Sequence, residues 1–95
     1  MNYNIEYLLK YISNNTYKII NTKKSTYLLD LLEKNYIDVD LNIRYLIKYG
    51  VTKIDEVVLD RIEDLTKPHN EFIKIIKDYE KNLGKDSTLH MLENL

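Results

Sequence analysis

Apolar residues recur at the three- and four-residue spacing of amphipathic helices along most of this chain. Such spacing places side chains on one face of an α-helix, because each turn holds about 3.6 residues. The first face of this kind consists of Ile5, Leu8, Leu9 and Ile12. The polar run at residues 14–16 interrupts the pattern, so we predict that the first helix ends there.

The chain between residues 25 and 50 predicts two more helices. Ser25 is a favourable N-cap, and the leucine-rich pattern that follows it predicts a helix over residues 25–35. Asp38 or Asp40 can cap the third helix, and Gly50 suits its C-terminal end. The residues predicted to face the core in these two helices are Leu28, Leu29, Leu31, Leu32, Val39, Ile43, Leu46 and Ile47.

Two further helices are predicted between residues 52 and 84. Thr52 and Asp55 have the spacing of a capping box, and an apolar pattern continues from there to Leu65. Pro68 suits the first turn of the next helix, and Gly84 suits its end. The residues predicted to face the core here are Ile54, Val58, Ile62, Leu65, Phe72, Ile76, Tyr79 and Leu83.

Two short segments are compatible with more than one structure. Residues 17–20 alternate enough to form a brief strand or an extended connector. Residues 86–95 are either a mobile or a docking tail, in which Asp86 or Ser87 can cap a short helical turn. The apolar residues of that turn are Leu89, Leu92 and Leu95. The sequence therefore predicts one all-α domain over residues 1–95, a compact bundle of about five short helices with a short C-terminal helical turn.

One eight-residue phrase occurs twice in the chain. NIEYLLKY at residues 4–11 returns as NIRYLIKY at residues 42–49, with six identical positions. In each copy the aliphatic residues share one face of the helix, and the tyrosines lie on the opposite face. A tyrosine face either packs inside the bundle with its hydroxyls reaching water, or docks onto a partner. The residues predicted to bind a partner on this basis are Tyr7, Tyr11, Leu41, Tyr45 and Tyr49.

Composition restricts the setting in which the protein works. The chain of 95 residues is 44% apolar and 31% charged, which is typical of a globular protein that does not enter a membrane. It has no cysteine, which rules out disulfides and fits the reducing cytoplasm. The abundant Lys, Asn, Ile and Tyr share A/T-rich codons, which indicates a phage, virus, plasmid or A/T-rich bacterium as the source.

The sequence gives little support for catalysis or for the binding of a cofactor. Ser13, Ser25 and Ser87 occupy cap or loop positions without the glycines of a nucleophile elbow. Neither His69 nor His90 belongs to a convincing metal-binding pair. Only two glycines occur, so no phosphate-binding loop is expected. We expect no catalytic residues, no metal site, no small-molecule cofactor and no enzymatic activity.

Charge is divided unevenly along the chain and produces an acidic candidate site. Residues 1–53 contain eight basic and five acidic residues, whereas residues 54–95 contain six basic and ten acidic ones. In the predicted fourth helix, several acidic side chains share the face opposite the apolar residues: Glu56, Asp60, Glu63 and Asp64. Such a stripe is either a solvated face or a patch for a basic partner.

A dimeric DNA-binding regulator of the helix-turn-helix type is the alternative to protein binding. Helix 25–35, a turn, and residues 39–49 as recognition helix have the required order. The residues available for phosphate and base contacts are Lys18, Lys23, Lys24, Asn42, Arg44 and Lys48. Against this alternative, Asp38 and Asp40 lie at the end of the helix that would approach DNA.

The sequence favours protein binding over DNA binding, because its basic residues are few and dispersed. We therefore expect a small cytoplasmic helical protein of the inhibitor, immunity, antitoxin or adaptor type. Its expected partner is another protein or a second copy of the same chain, with DNA as the alternative and no membrane.

Overall fold

The structure, a computed structural model, describes residues 3–93, which are arranged in helices joined by short connections. No strand occurs among them, so the all-α prediction is confirmed. In chain order the elements are a 3₁₀ helix (Glu6–Lys10) and the α-helices α1 (Asn14–Lys23), α2 (Thr26–Lys34), α3 (Tyr36–Tyr49), α4 (Ile54–Asp60), α5 (Ile62–Leu65), α6 (His69–Leu83) and α7 (Lys85–Glu93). One cluster of buried apolar residues connects them. α3 packs against the 3₁₀ helix, α2, α5 and α6, and so lies at the centre of the bundle.

The first predicted helix is a 3₁₀ helix, and this changes which residues it buries. A 3₁₀ helix has about three residues per turn, so only residues i and i+3 share a face. Ile5 and Leu8 are accordingly fully buried, whereas Leu9 is 38% exposed. The prediction that Leu9 faces the core is wrong for this reason.

Residues 17–20 lie inside α1, so neither the strand nor the extended connector forms there. The Ser13 hydroxyl accepts the backbone N–H of Thr16 at 3.2 Å and caps the helix. Thr16 and Ile20 are buried one turn apart, which is the spacing of a helix face. The polar run at residues 14–16 therefore begins a helix, whereas the preceding 3₁₀ helix already ends at Lys10.

The capping signals around α2 and α3 are partly confirmed. The Ser25 hydroxyl accepts the Leu28 N–H at 3.3 Å, as predicted, and Gly50 ends α3 with a φ of 119°. Only Asn35 separates the two helices, however, and α3 already begins at Tyr36. Asp38 and Asp40 consequently lie within the helix, where they contact other elements instead of capping it.

The fourth predicted helix is split at Arg61 into α4 and α5, and its predicted capping box does not form. Asp55 accepts hydrogen bonds from the Ser13 N–H and from the Thr16 hydroxyl. Thr52 donates its N–H and its hydroxyl to Glu93. Both members of the predicted box are therefore held by distant parts of the chain.

The last two helices form a hairpin across Gly84, whose φ is 83°. Phe72 and Ile76 of α6 are buried as predicted, but Tyr79 and Leu83 are 39% and 50% exposed. The core thus ends before the C-terminal turns of α6 are reached. Residues 85–93 form α7, which buries Thr88 and Leu92 against α4 and α6. Leu95 lies outside the described residues.

Candidate functional site

The buried face of α3 is rotated relative to the sequence prediction. Val39, Ile43 and Leu46 are buried as expected, but Asn42 is fully buried and Ile47 is 45% exposed. At 100° per residue, Asn42 lies about 100° to one side of Ile43 and Ile47 about 40° to the other. The centre of the buried face therefore lies towards Asn42, and the prediction that Asn42 faces a DNA groove is wrong.

Asn42 is buried because its side chain joins α3 to the segment between α5 and α6. Its Nδ2 donates to the carbonyl oxygens of Leu65 at 2.8 Å and Lys67 at 2.9 Å. Its Oδ1 lies 2.8 Å from Nδ1 of His69. The amide thus satisfies its own polar atoms and two backbone carbonyls, which is the condition under which a buried polar side chain is tolerated.

These contacts also determine the proton position on His69. The two carbonyl oxygens can only accept, so the amide nitrogen of Asn42 faces them and its oxygen faces the imidazole. His69 therefore carries a proton on Nδ1. In the neutral ring, this leaves Nε2 as an acceptor beside α3, on a side chain that lines a surface groove.

The tyrosines of the repeated phrase pack within the chain while remaining half-buried. Three hydroxyls donate hydrogen bonds of 2.6 Å: Tyr7 to the Leu32 carbonyl, Tyr11 to Asp40, and Tyr49 to Glu80. The ring of Tyr45 packs edge-on against Phe72 and His69. The predicted second packing surface is therefore observed, and whether these residues also meet a partner stays a prediction.

The pKa values of these phenols reflect the same packing. Burial raises the pKa of Tyr49 to about 12, with the hydrogen bond to Glu80 acting in the same direction. Burial also raises the pKa of Tyr7 well above its ordinary value, and the charge of Asp40 adds to this effect. Both phenols stay protonated at neutral pH and act as hydrogen-bond donors.

The carboxylate of Asp40 contacts three donors on the side of α3 next to the 3₁₀ helix. Lys10 Nζ lies 2.9 Å from it, Arg44 Nη2 lies 2.8 Å from it, and the Tyr11 hydroxyl donates at 2.6 Å. Burial alone would raise the pKa of Asp40, but the hydrogen bonds from Lys10, Tyr11 and Arg44 outweigh burial and lower it. Asp40 is therefore ionised at neutral pH and holds both cations against the surface of α3.

The side of α3 that faces away from the core is a strip of mixed apolar and basic character. Ile37, Leu41, Arg44 and Lys48 recur at i, i+4, i+7 and i+11 and share one face, which we call the α3 outer face. Ile37, which belongs to this face, is 61% exposed. The flanking side chains of Tyr36 and Ile47 are 53% and 45% exposed. An apolar surface of this kind on a folded protein is typical of an interaction site.

Three adjoining surface grooves follow this strip. One of about 650 Å³ is lined by Tyr11, Leu41, Arg44, Tyr45, Ile47, Lys48 and His69. A second of about 380 Å³ shares Leu41 and Arg44 with the first and extends to Tyr36 and Ile37. A third of about 430 Å³ shares Tyr7 and Tyr36 with the second and ends at Glu6 and Glu33. Because each groove shares lining residues with the next, we refer to the three together as the depression along α3.

Sequence reasoning identified Leu41 on the α3 outer face and three tyrosines that line the grooves beside it, Tyr7, Tyr11 and Tyr45. It missed Tyr36, Ile37 and Ile47. The spacing of Ile37, Leu41, Arg44 and Lys48 was visible in the sequence. If α3 began at Asp38, Ile37 would lie outside the helix, and this spacing would not mark a helix face. Ile47 was assigned to the core, since nothing local indicates that the face rotates towards Asn42.

The predicted acidic stripe is not arranged as one helix face. The break at Arg61 separates Glu56 and Asp60 on α4 from Glu63 and Asp64 on α5. Asp64 pairs with Arg61 at 3.3 Å, and the other three carboxylates are exposed. Asp60, Glu63 and Asp64 do line a groove of about 350 Å³, but Lys24 and Arg61 line it too.

The residues proposed for DNA contact are not brought to one surface. Asn42 is buried, Arg44 is paired with Asp40, and Lys24 lines the groove that also holds acidic residues. Lys18, Lys23 and Lys48 are exposed. The predicted turn between residues 35 and 38 is reduced to Asn35, whereas a helix-turn-helix usually has a turn of about three or four residues. The DNA-binding alternative stays a prediction that these positions do not favour.

Two further observations concern the described residues as a whole. No three His, Asp or Glu side chains among residues 3–93 gather where they could hold a metal ion. None of the helices in that range has the length and apolar character needed to cross a membrane. Comparison with protein-family models finds no match to this chain, and comparisons with curated proteins and with solved structures find no match either.

Proposed function

We propose that this protein acts by binding another polypeptide chain through the α3 outer face and the grooves beside it. The supporting observation is the position of the exposed apolar side chains. Tyr36, Ile37 and Ile47 lie next to half-buried Leu41 and Tyr45 in the depression along α3. Burial of such side chains against a partner is the main favourable term in protein association.

The basic residues of this surface fit the same role. Lys10 and Arg44 are held in place by Asp40, so they lose little conformational freedom when a partner approaches. Arg is enriched at the energetic centres of interfaces, as are Tyr side chains such as Tyr45. A partner surface with apolar residues and at least one carboxylate would match this arrangement.

The tyrosines are less suitable than the isoleucines as probes of this proposal. Tyr7, Tyr11 and Tyr49 donate hydrogen bonds within the chain, so their replacement would also weaken the fold. Ile37 and Ile47 have large exposed fractions and lie on the surface in question. Changes at these two positions separate binding from folding.

Photo-crosslinking in the native cell tests the proposal. A photoreactive amino acid is placed at Ile37 or Ile47, and in separate chains at the exposed control positions Asn21 of α1 and Lys77 of α6. We expect adducts with a discrete protein, either a different one or the same chain, from positions 37 and 47 and none from positions 21 and 77. Equal adduct yields from all four positions, or none from any, would contradict the proposal.

A further inference from the structure

The depression along α3 carries opposite charge at its two ends. Among residues 3–93, the lining of the groove next to Tyr36 includes Glu6 and Glu33 but no Lys or Arg. The lining of the groove at the other end includes Lys48 and Arg44 but, within the same range, no Asp or Glu. Between them, Lys10 and Arg44 pair with Asp40. The distribution is therefore acidic near the N-terminus of α3 and basic near its C-terminus.

We propose that this face receives a second copy of the chain, with the two α3 helices antiparallel about a two-fold axis. A two-fold interface uses the same surface on both subunits. The antiparallel orientation places the acidic end of each copy over the basic end of the other, whereas a parallel orientation would oppose like charges. This inference rests on the proposed function and specifies its partner.

The apolar residues have the same symmetry as the charges. Tyr36 and Lys48 are equally far along α3 from residue 42, and so are Ile37 and Ile47. We place the two-fold axis at the level of residue 42, so that Ile37 of one copy lies at the same level as Ile47 of the other. Leu41 and Arg44 lie near the axis. Exposed apolar side chains are thus brought together at two equivalent places, each next to a pair of opposite charges.

The surface is large enough only if the grooves take part. A stable interface removes roughly 800 Å² from each partner, which is about an eighth of the 6087 Å² exposed here. α3 has 14 residues and is therefore about 21 Å long. We infer that the 3₁₀ helix and the start of α6, which border the grooves, also contact the second copy.

Charge reversal at each end provides a sharp test by sedimentation velocity. The first variant combines Glu6→Lys with Glu33→Gln, because a glutamine oxygen can still accept the Asn4 N–H that Glu33 holds at 2.7 Å. The second variant is Lys48→Glu. When either variant pairs with itself, like charges face each other at both ends of the dimer. We therefore expect a dimer dissociation constant at least ~10-fold above that of the unchanged chain.

Mixing the two variants in equal amounts restores opposite charges at both ends of a mixed dimer. We expect the dissociation constant to return to within about threefold of that of the unchanged chain. Glu56→Lys combined with Glu63→Gln, and separately Lys77→Glu, make the same charge changes at exposed positions away from the α3 outer face, and they should leave the dimer unchanged. Restoration on mixing also shows that the variants are folded.

The contrary outcomes are distinct. If the unchanged chain is monomeric up to millimolar concentration, the second copy is not the partner, although adducts of Ile37 with a different protein would still support the proposed function. If the unchanged chain dimerises but the reversed charges have no effect, or mixing restores nothing, the antiparallel arrangement is wrong. If adducts are also missing at Ile37 and Ile47, the proposed function fails as well.

Discussion

Asn42 is the residue whose contacts determine how α3 is rotated in the bundle. Its amide is buried among apolar side chains and bonds to Leu65, Lys67 and His69. Another rotation of the helix would leave the buried carbonyl groups without a hydrogen-bond donor. Such a carbonyl has lost its bound water without gaining a new partner, so other rotations are unfavourable. The rotation in turn leaves Ile37 and Ile47 exposed on the surface of α3.

Replacement of Asn42 tests this role. Asn42→Leu leaves the carbonyls of Leu65 and Lys67 and the Nδ1 proton of His69 without partners, so we expect a loss of ~1–3 kcal/mol in the free energy of unfolding. Urea denaturation measures the loss. The matched control is Asn21→Leu at an exposed position of α1, which should change stability little. Equal effects at both positions would mean that the buried contacts do not matter.

The core residues give a second comparison at single positions. Leu46 is 1% exposed and Leu9 is 38% exposed. Leu46→Ala should cost ~2–5 kcal/mol, because it removes buried methyl groups and leaves a cavity. Leu9→Ala should cost much less, since the side chain is already partly hydrated. Chemical denaturation of the two variants checks the order, and the reverse order would contradict the exposed position of Leu9.

The ionisation of Asp40 has a consequence for stability at low pH. Its folded-state pKa lies below the ordinary value of 3.8, so its contribution to stability is fully present above that pH. The contribution is lost as the pH falls through the lowered pKa. The difference in unfolding free energy between the unchanged chain and Asp40→Asn should therefore shrink between about pH 5 and about pH 2. A difference that is constant over this range would show that the cation contacts of Asp40 add nothing.

Among the helices, the ends that could be predicted are those with local capping signals. Ser25 and Gly50 act through residues of their own helix, so a short stretch of sequence is enough to identify them. Thr52 and Asp55 have an equally suggestive spacing, but their partners are Glu93 and Ser13, about 40 residues away. A capping box competes with such long-range contacts, and nothing in the local pattern shows which will form.

The contacts of Glu93 hold the end of α7 against the start of α4. One oxygen of Glu93 accepts the N–H groups of Thr52 and Lys53 and the hydroxyl of Thr52. The hydrogen bonds from the Thr52 backbone N–H and, next, from its hydroxyl lower the pKa of Glu93. Glu93→Ala should speed amide hydrogen exchange in α7 while leaving α3 unchanged, because only the α7 end is released. Glu63→Ala on α5 is the control, and unchanged exchange in α7 after Glu93→Ala would contradict this role.

For the whole molecule, the helical class follows from apolar spacing alone, whereas the candidate site depends on packing between distant segments. The repeated phrase produces a 3₁₀ helix in its first copy and part of α3 in its second, because the neighbouring segments differ. Three of the four predicted tyrosines of that phrase donate to Leu32, Asp40 and Glu80, none of which the phrase itself contains. Leu41 is the predicted partner-binding residue that belongs to the α3 outer face.

The oligomeric state of two matched double variants tests most directly whether this face joins two chains. Ile37→Ser with Ile47→Ser alters side chains that are 61% and 45% exposed on α3, and Tyr27→Ser with Leu83→Ser alters side chains that are 61% and 50% exposed elsewhere. Sedimentation equilibrium should show a dimer for the unchanged chain and for the second variant. It should show a monomer for the first variant, and the urea midpoint of this variant should match that of the unchanged chain at concentrations too low for dimerisation. The same mass for all three proteins would contradict the assignment of the α3 outer face as the binding surface between two copies.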